Sequence, residues 1–418
     1  MKIKRDFYLN QLIAGRHNGL IKIVTGIRRC GKSFLLFNLF DEYLRADGVA
    51  HDHIIKVALD DRHFASLRDP DELLAYVDAH ISPDGQYYLF LDEVQMVAEF
   101  VDVLNSFLHM PNVDVYVTGS NSKFLSKDVA TEFRGRGDEI HLYPLSFSEY
   151  YAAFGGDKQT CWRDYYTFGG IPQRLVYEDS KKKEDFLRSL YQTVYLKDVI
   201  ERNKVKNKSE LEELMSILSS SIGAPCNPFK LSNSFKSLKG VTIDHKTIGR
   251  YLGFAEDAFI VERARRYDVK GKKYINTLSK YYFQDVGLRN AVIDFRQLEE
   301  THIMENVIYN ELRMRGFRVD VGFVELRTSD KNGSSVRKQL EVDFVANRGS
   351  QRYYIQSALA IPTAEKKEQE TASFRQIDDS FKKVIVVKDD IMPYHDNSGY
   401  LIMGLFDFLL NPDSLRLL

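Results

Sequence analysis

The residues best equipped for chemistry lie near the amino terminus. Gly26-Ile27-Arg28-Arg29-Cys30-Gly31-Lys32-Ser33 is a complete G-x-x-x-x-G-K-S run. Glycines at this spacing let backbone N–H groups approach a phosphate closely, and a following helix adds its partial positive charge. In that pattern Lys32 reaches the β- and γ-phosphates and Ser33 is a ligand to Mg²⁺. Gly26, Arg28, Arg29, Cys30, Gly31 and Phe34 complete the expected triphosphate cradle. A second chemical element is Asp92-Glu93, at the end of YYLFLDEVQ. Asp92 is expected to hold Mg²⁺ through water, and Glu93 to polarise the attacking water. A third is Thr118-Gly119-Ser120-Asn121. Asn121 is the favoured sensor of the γ-phosphate, with Thr118 and Ser120 as rivals. Finally, Arg136 in FRGRG has the chemistry to stabilise transition-state charge across a subunit contact. Oligomerisation is therefore expected if Arg136 acts in trans.

These groups need elements to position them. Leu20–Val24 is an apolar run suited to a buried strand, and FLLFNLFDEYL has a helical apolar period. Strand, glycine loop and helix thus follow in the order that phosphate binding requires. Tyr87–Leu91 and Val113–Val117 read as further buried strands. Acids and polar residues at the carboxyl ends of parallel strands lie where such sheets bind ligands.

Composition sets the wider limits. The 418 residues are 44% hydrophobic and 28% charged, which excludes wholesale disorder. With 58 basic and 59 acidic residues the net charge is −1, so any nucleic-acid contact must be local. Cys30, Cys161 and Cys226 form no C-x-x-C pair, which argues against a disulfide scaffold or structural zinc. MKIKRDFYLNQL lacks a signal-peptide core, and no apolar run approaches about 18 residues. A cytoplasmic protein with no membrane partner is the expectation.

The rest of the chain reads as further modules. Residues 216–285 resemble a winged-helix unit, with three helices and then two strands about Lys270-Gly271. Arg263, Arg265, Arg266, Lys270, Lys272, Lys273 and Lys280 make the wing basic, and Lys246 and Arg250 lie on the preceding helix. Such a surface suits duplex DNA phosphates. Residues 286–418 combine a helix carrying Glu305 and Glu311 with several strands. Glu311, Asp343 and Gln356 fit the PD-(D/E)xK nuclease pattern, but Ala358 stands in the lysine slot. Without that lysine, water activation and transition-state stabilisation lose their main group, so a nuclease-like domain without cleavage is expected.

Taken together, these segments resemble the AAA+ ATPases of bacteria and archaea that carry a C-terminal domain of unknown function. The resemblance rests on TGIRRCGKSFLL, FLDEVQ, VTGSNSKFLS, FRGRGDEIHLYPLSFSEY, FGGIPQRL, YLKDVIERNKVKN, KYYFQDVGLRNA, ENVIYNELRMRGF and EVDFVANRGSQRYYIQS, in that order. It implies ATP hydrolysis with Mg²⁺ on an α/β fold. The expected plan is a P-loop core at 1–155, a helical lid at 156–215, the winged helix at 216–285 and the nuclease-like domain at 286–418.

Overall fold

A computed structural model describes residues 2–120, 135–240, 242–329 and 335–416. The chain divides into two compact units. The first comprises Met1–Pro144, Ile171–Gln173 and Glu256–Ile260; the second comprises Leu145–Gly170, Arg174–Ala255 and Val261–Leu418. Among the described residues no helix is long and apolar enough to cross a membrane.

The first unit is built on five parallel strands: β1 (Ile21–Thr25), β2 (Ile54–Ala58), β3 (Tyr87–Asp92), β4 (Val113–Gly119) and β5 (Gly137–His141). Their order is β2-β3-β4-β1-β5. β1 and β3 are buried along their whole length, as strands covered on both faces must be. One residue departs from the apolar reading of β1. Lys22 is wholly buried and forms an ion pair with Asp114 of β4, which also accepts hydrogen bonds from the Tyr116 hydroxyl (2.8 Å) and the His17 amide (3.1 Å). Because all five strands are parallel, the loops after β1, β3 and β4 emerge at one end of the sheet.

The second unit carries an eight-stranded mixed sheet in the order β12-β13-β11-β10-β9-β8-β6-β7. Its strands are β6 (Val261–Asp268), β7 (Lys273–Phe283), β8 (Arg318–Ser329), β9 (Ser335–Arg348), β10 (Gln351–Ala358), β11 (Lys382–Val387), β12 (Tyr394–His395) and β13 (Leu401–Gly404). Three helices, Lys208–Ser220, Pro228–Lys239 and His245–Asp257, precede β6 in the stretch expected to form a winged helix. The strands expected to form its wing are also part of the C-terminal sheet. β6 pairs with β7 on one side and with β8, in parallel, on the other, so the sheet runs through residue 285. The P-loop core expected over 1–155 likewise passes into the second unit after Pro144. Phe147 and Tyr150, on helix Phe147–Phe154, pack in the second unit with Trp162, Tyr165 and Phe406.

Candidate functional site

The glycine loop bridges β1 and the helical segment that starts at Lys32. Gly26 has φ 144°, and a Cβ there would fall 2.1 Å from the Leu142 carbonyl oxygen, so only glycine lets the loop leave β1 at this angle. Gly31, at φ 105°, caps the helix with open space around its missing Cβ. That space is what a close-approaching phosphate needs. Arg29 also takes a left-handed conformation, at φ 64°. Arg5, buried ahead of the first helix, donates to the Cys30 carbonyl (3.2 Å) and the Tyr143 carbonyl (2.7 Å), clamping the loop from below. The sequence reading missed this residue, because an arginine in MKIKR carries no local pattern that marks it for burial.

Within the loop, the Lys32 ammonium is buried and donates to the carbonyls of Gly26 (3.0 Å) and Ile27 (3.2 Å). Among the described residues it has no carboxylate partner. The Cys30 side chain points inward, fully buried, and burial raises its thiol pKa. Ser33 and Phe34 are exposed at the helix start.

The acidic strand end meets this loop. The Ser33 hydroxyl stands near enough to the Asp92 carboxylate, at the tip of β3, to pull its pKa down. Thr118, at the end of β4, donates to Asp92 Oδ1 and accepts the Glu93 amide N–H at 2.9 Å. Asp92 is buried, and desolvation raises its pKa against the pull of the two hydroxyls. Glu93 sits at φ 53°, a strained position for a non-glycine residue and one that recurs at functional sites. Its carboxylate accepts from Ser120 Oγ at 3.1 Å and from the Gln95 amide. Of the three sensor candidates, Thr118 is the one in contact with both acids; Asn121 lies outside the described residues.

Arg136 stands elsewhere. Its carbonyl accepts the Ile21 amide at the entry to β1, and its guanidinium lies 3.4 Å from Asn105 Oδ1. The glycine loop follows the other end of β1. The fold therefore does not bring Arg136 to the phosphate loop of its own chain.

The C-terminal constellation differs from the expected pattern at one acid. Glu311 is paired with Arg315 (2.7 Å), and its Oε2 is buried without a hydrogen-bond partner. Glu305 occupies the place expected for Glu311: its Oε1 accepts from Lys280 Nζ (2.9 Å) and the Tyr282 hydroxyl (2.6 Å). Six residues along a helix set two side chains about 120° apart around its axis, so the two glutamates cannot share a face. Asp343 on β9 accepts the Ser357 amide at 2.8 Å, and Gln356 Oε1 accepts the Asp343 amide at 3.4 Å. Ala358 is buried in the adjoining core. Lys280, expected on an exposed basic wing, is 3% exposed and ion-paired, whereas Arg263, Arg265, Lys270, Lys272 and Lys273 are exposed.

Comparison with known proteins agrees with this architecture. The sequence matches an AAA domain over residues 18–151 and a domain of unknown function (DUF8612) over residues 159–299. An uncharacterized protein of Haemophilus influenzae is 32% identical over 390 residues, 92% of this chain and 93% of its own length. The chain belongs to the AAA+ ATPase superfamily. An uncharacterized protein of Methanocaldococcus jannaschii is 28% identical over 78% of this chain and 71% of its own length. Among solved structures, a Walker-type ATPase of Pyrococcus abyssi superposes with TM-score 0.50 at 15% identity, covering 70% of this chain and 96% of that one. It shares the fold. In this AAA+ chain the five-stranded sheet is the P-loop core, and the eight-stranded sheet belongs to its C-terminal portion.

Proposed function

We propose that the chain binds ATP at the loop Gly26–Ser33 and hydrolyses it with Mg²⁺. The observation that carries this reading is the convergence of three strand ends. Thr118 hydrogen-bonds the buried Asp92, the Ser33 hydroxyl lies beside the same carboxylate, and Glu93 stands next to them on the same turn. Ser33 and Asp92 are neighbouring hard oxygen donors, a donor set that suits Mg²⁺, and the desolvated carboxylate would be compensated by a cation. When bound, Mg²⁺ neutralises charge on the β- and γ-phosphates. The chain's own groups do the rest. Lys32 exchanges the Gly26 and Ile27 carbonyls for phosphate oxygens, and the loop amides orient the triphosphate. Glu93, released from Ser120 and Gln95, holds the attacking water and takes its proton. Thr118 fixes the distance between the two acids. Arg28, Arg29, Cys30 and Phe34 contribute the loop's shape, and Asn121 its contact with the γ-phosphate. Arg136 acts on the nucleotide of a neighbouring subunit.

Hydrolysis in this reading drives a change in the second unit, with duplex DNA as its partner. The exposed bases Lys246, Arg250, Arg263, Arg265, Lys270, Lys272 and Lys273 support that contact; Lys280 does not take part. The direct test is steady-state phosphate release, with and without duplex DNA, across a salt series. Glu93→Gln should retain ATP binding and lose roughly 100-fold or more in turnover. Equal rates for the two proteins would remove Glu93 from its role. DNA stimulation should fade with salt. A second reading, a nucleotide-gated switch with slow turnover, rests on the engagement of Glu93 by Ser120 and Gln95. Stoichiometric ATP binding without measurable phosphate release, DNA included, would favour it.

A further inference from the structure

The C-terminal sheet encloses three carboxylates around one ammonium. Lys280 reaches from β7 and places Nζ 2.9 Å from Glu305 Oε1 and 2.7 Å from Glu341 Oε1. Asp343 stands two residues beyond Glu341 on β9, on the same face, and interacts with Lys280, Glu305 and Glu341. Lys280, Glu305 and Asp343 are all more than nine-tenths buried, and Glu341 forms the cluster's partly exposed rim. Gly223 closes the cluster over Glu305: a Cβ there would lie 3.1 Å from Glu305 Oε2.

Three acids converge from a helix and a strand, beside a strand-borne Gln356, and these are the residue types a divalent-cation centre in a phosphodiesterase uses, here gathered around an ammonium. Carboxylates this close cannot all stay ionised without a counter-ion. Here that counter-ion is part of the chain. We propose that the Lys280 ammonium is the resident cation of this cluster, occupying the position a divalent metal would take, so that the wild-type site binds no divalent ion. The geometry is that of an ammonium: its contacts of 2.7–2.9 Å are hydrogen-bond lengths, longer than the roughly 2.0–2.6 Å of Mg²⁺ or Ca²⁺ to oxygen. Among the described residues, no group of three His, Cys, Asp or Glu is spaced to hold a metal. The carboxylates are spread around Nζ instead. The lysine missing at Ala358 is thus present in space, drawn from another strand. There it neutralises the metal-ligand acids and takes the metal's place.

The test is Mn²⁺ binding to the full-length, nucleotide-free chain, read by electron paramagnetic resonance. Wild type and Asp343→Asn should bind identically, with no site that the substitution removes. Lys280→Met should gain one Mn²⁺ site at least tenfold tighter than any in wild type, and Lys280→Met/Asp343→Asn should lose it again. Lys280→Arg, which keeps the charge, should gain none. Circular dichroism and a cooperative melt check that each variant folds, with Lys280→Gln as the replacement if Lys280→Met does not. A wild-type Mn²⁺ site abolished by Asp343→Asn would overturn the proposal, because the acids would then bind metal beside the lysine. So would a folded Lys280→Met or Lys280→Gln that gains no site. Should neither neutral variant fold, wild type against Asp343→Asn still decides it.

Discussion

Two lysines, each at least 95% buried, are held in opposite ways. In the phosphate loop, Lys32 is satisfied by two backbone carbonyls and pairs with no carboxylate among the described residues. In the C-terminal cluster, Lys280 sits among Glu305, Glu341 and Asp343, and their charges hold its pKa above the usual lysine value despite burial. An ammonium held only by carbonyls keeps its full charge for an incoming anion, and neutral acceptors are readily exchanged for phosphate oxygens. An ammonium already matched by carboxylates has no such capacity left. One site is therefore organised to receive a ligand, and the other already contains its counter-charge.

Three measurements can break or sharpen this contrast. The largest effect is expected where a matched lysine loses its partner. Lys22 is buried with Asp114, and Asp114→Ala strands the ammonium inside the sheet. It should cost about 3–5 kcal/mol in urea unfolding, since an unpaired buried charge is more costly than a missing pair. A loss under about 1 kcal/mol would mean that Lys22 is not held by charge matching. Next, Lys32→Met should leave the fold intact but weaken ATP binding roughly 100-fold, the value of one or two hydrogen bonds to a charged group. Unchanged affinity in a fluorescent-nucleotide titration would place the unmatched charge elsewhere. The smallest effect, counted per pH unit, concerns Asp343. Its native pKa lies above that of the unfolded chain, so the native state holds a proton that the unfolded state has released. Stability from this group is present below the unfolded value near 3.8 and declines as pH rises toward about 8. The slope is at most about 1.4 kcal/mol per pH unit. Thermal unfolding from pH 5 to 8 should show wild type losing stability more steeply than Asp343→Asn; parallel curves would mean Asp343 is not protonated in the native state.

Much of the first unit was legible because its information is local. Gly26 through Ser33 is contiguous, and YYLFLDE announces both a buried strand and the acids at its tip. Parallel pairing then obliges the three strand ends to meet. The choice among Thr118, Ser120 and Asn121 was open, because it depends on which side chain of β4 faces β3; the structure puts Thr118 on Asp92. In the second unit the readings were less secure. Glu305 and Glu311 both lie in one helix, and only the packing of that helix decides which of them faces the sheet. Lys280 read as one more base in a basic stretch, though its setting in SKYYF, amid apolar residues, hinted at burial.

By itself the sequence determined the phosphate loop, the acidic strand tip and the alternation of strand and helix. Each is written in neighbouring residues whose backbone and side-chain preferences act over a few positions. Only the tertiary structure decided that Arg5 clamps the loop, that Lys22 finds Asp114, and that a lysine on β7 enters an acidic cluster built from a helix and from β9. Those outcomes depend on charges more than 20 positions apart along the chain. They meet because burial leaves a charged group few stable arrangements except beside an opposite charge or a hydrogen-bond acceptor.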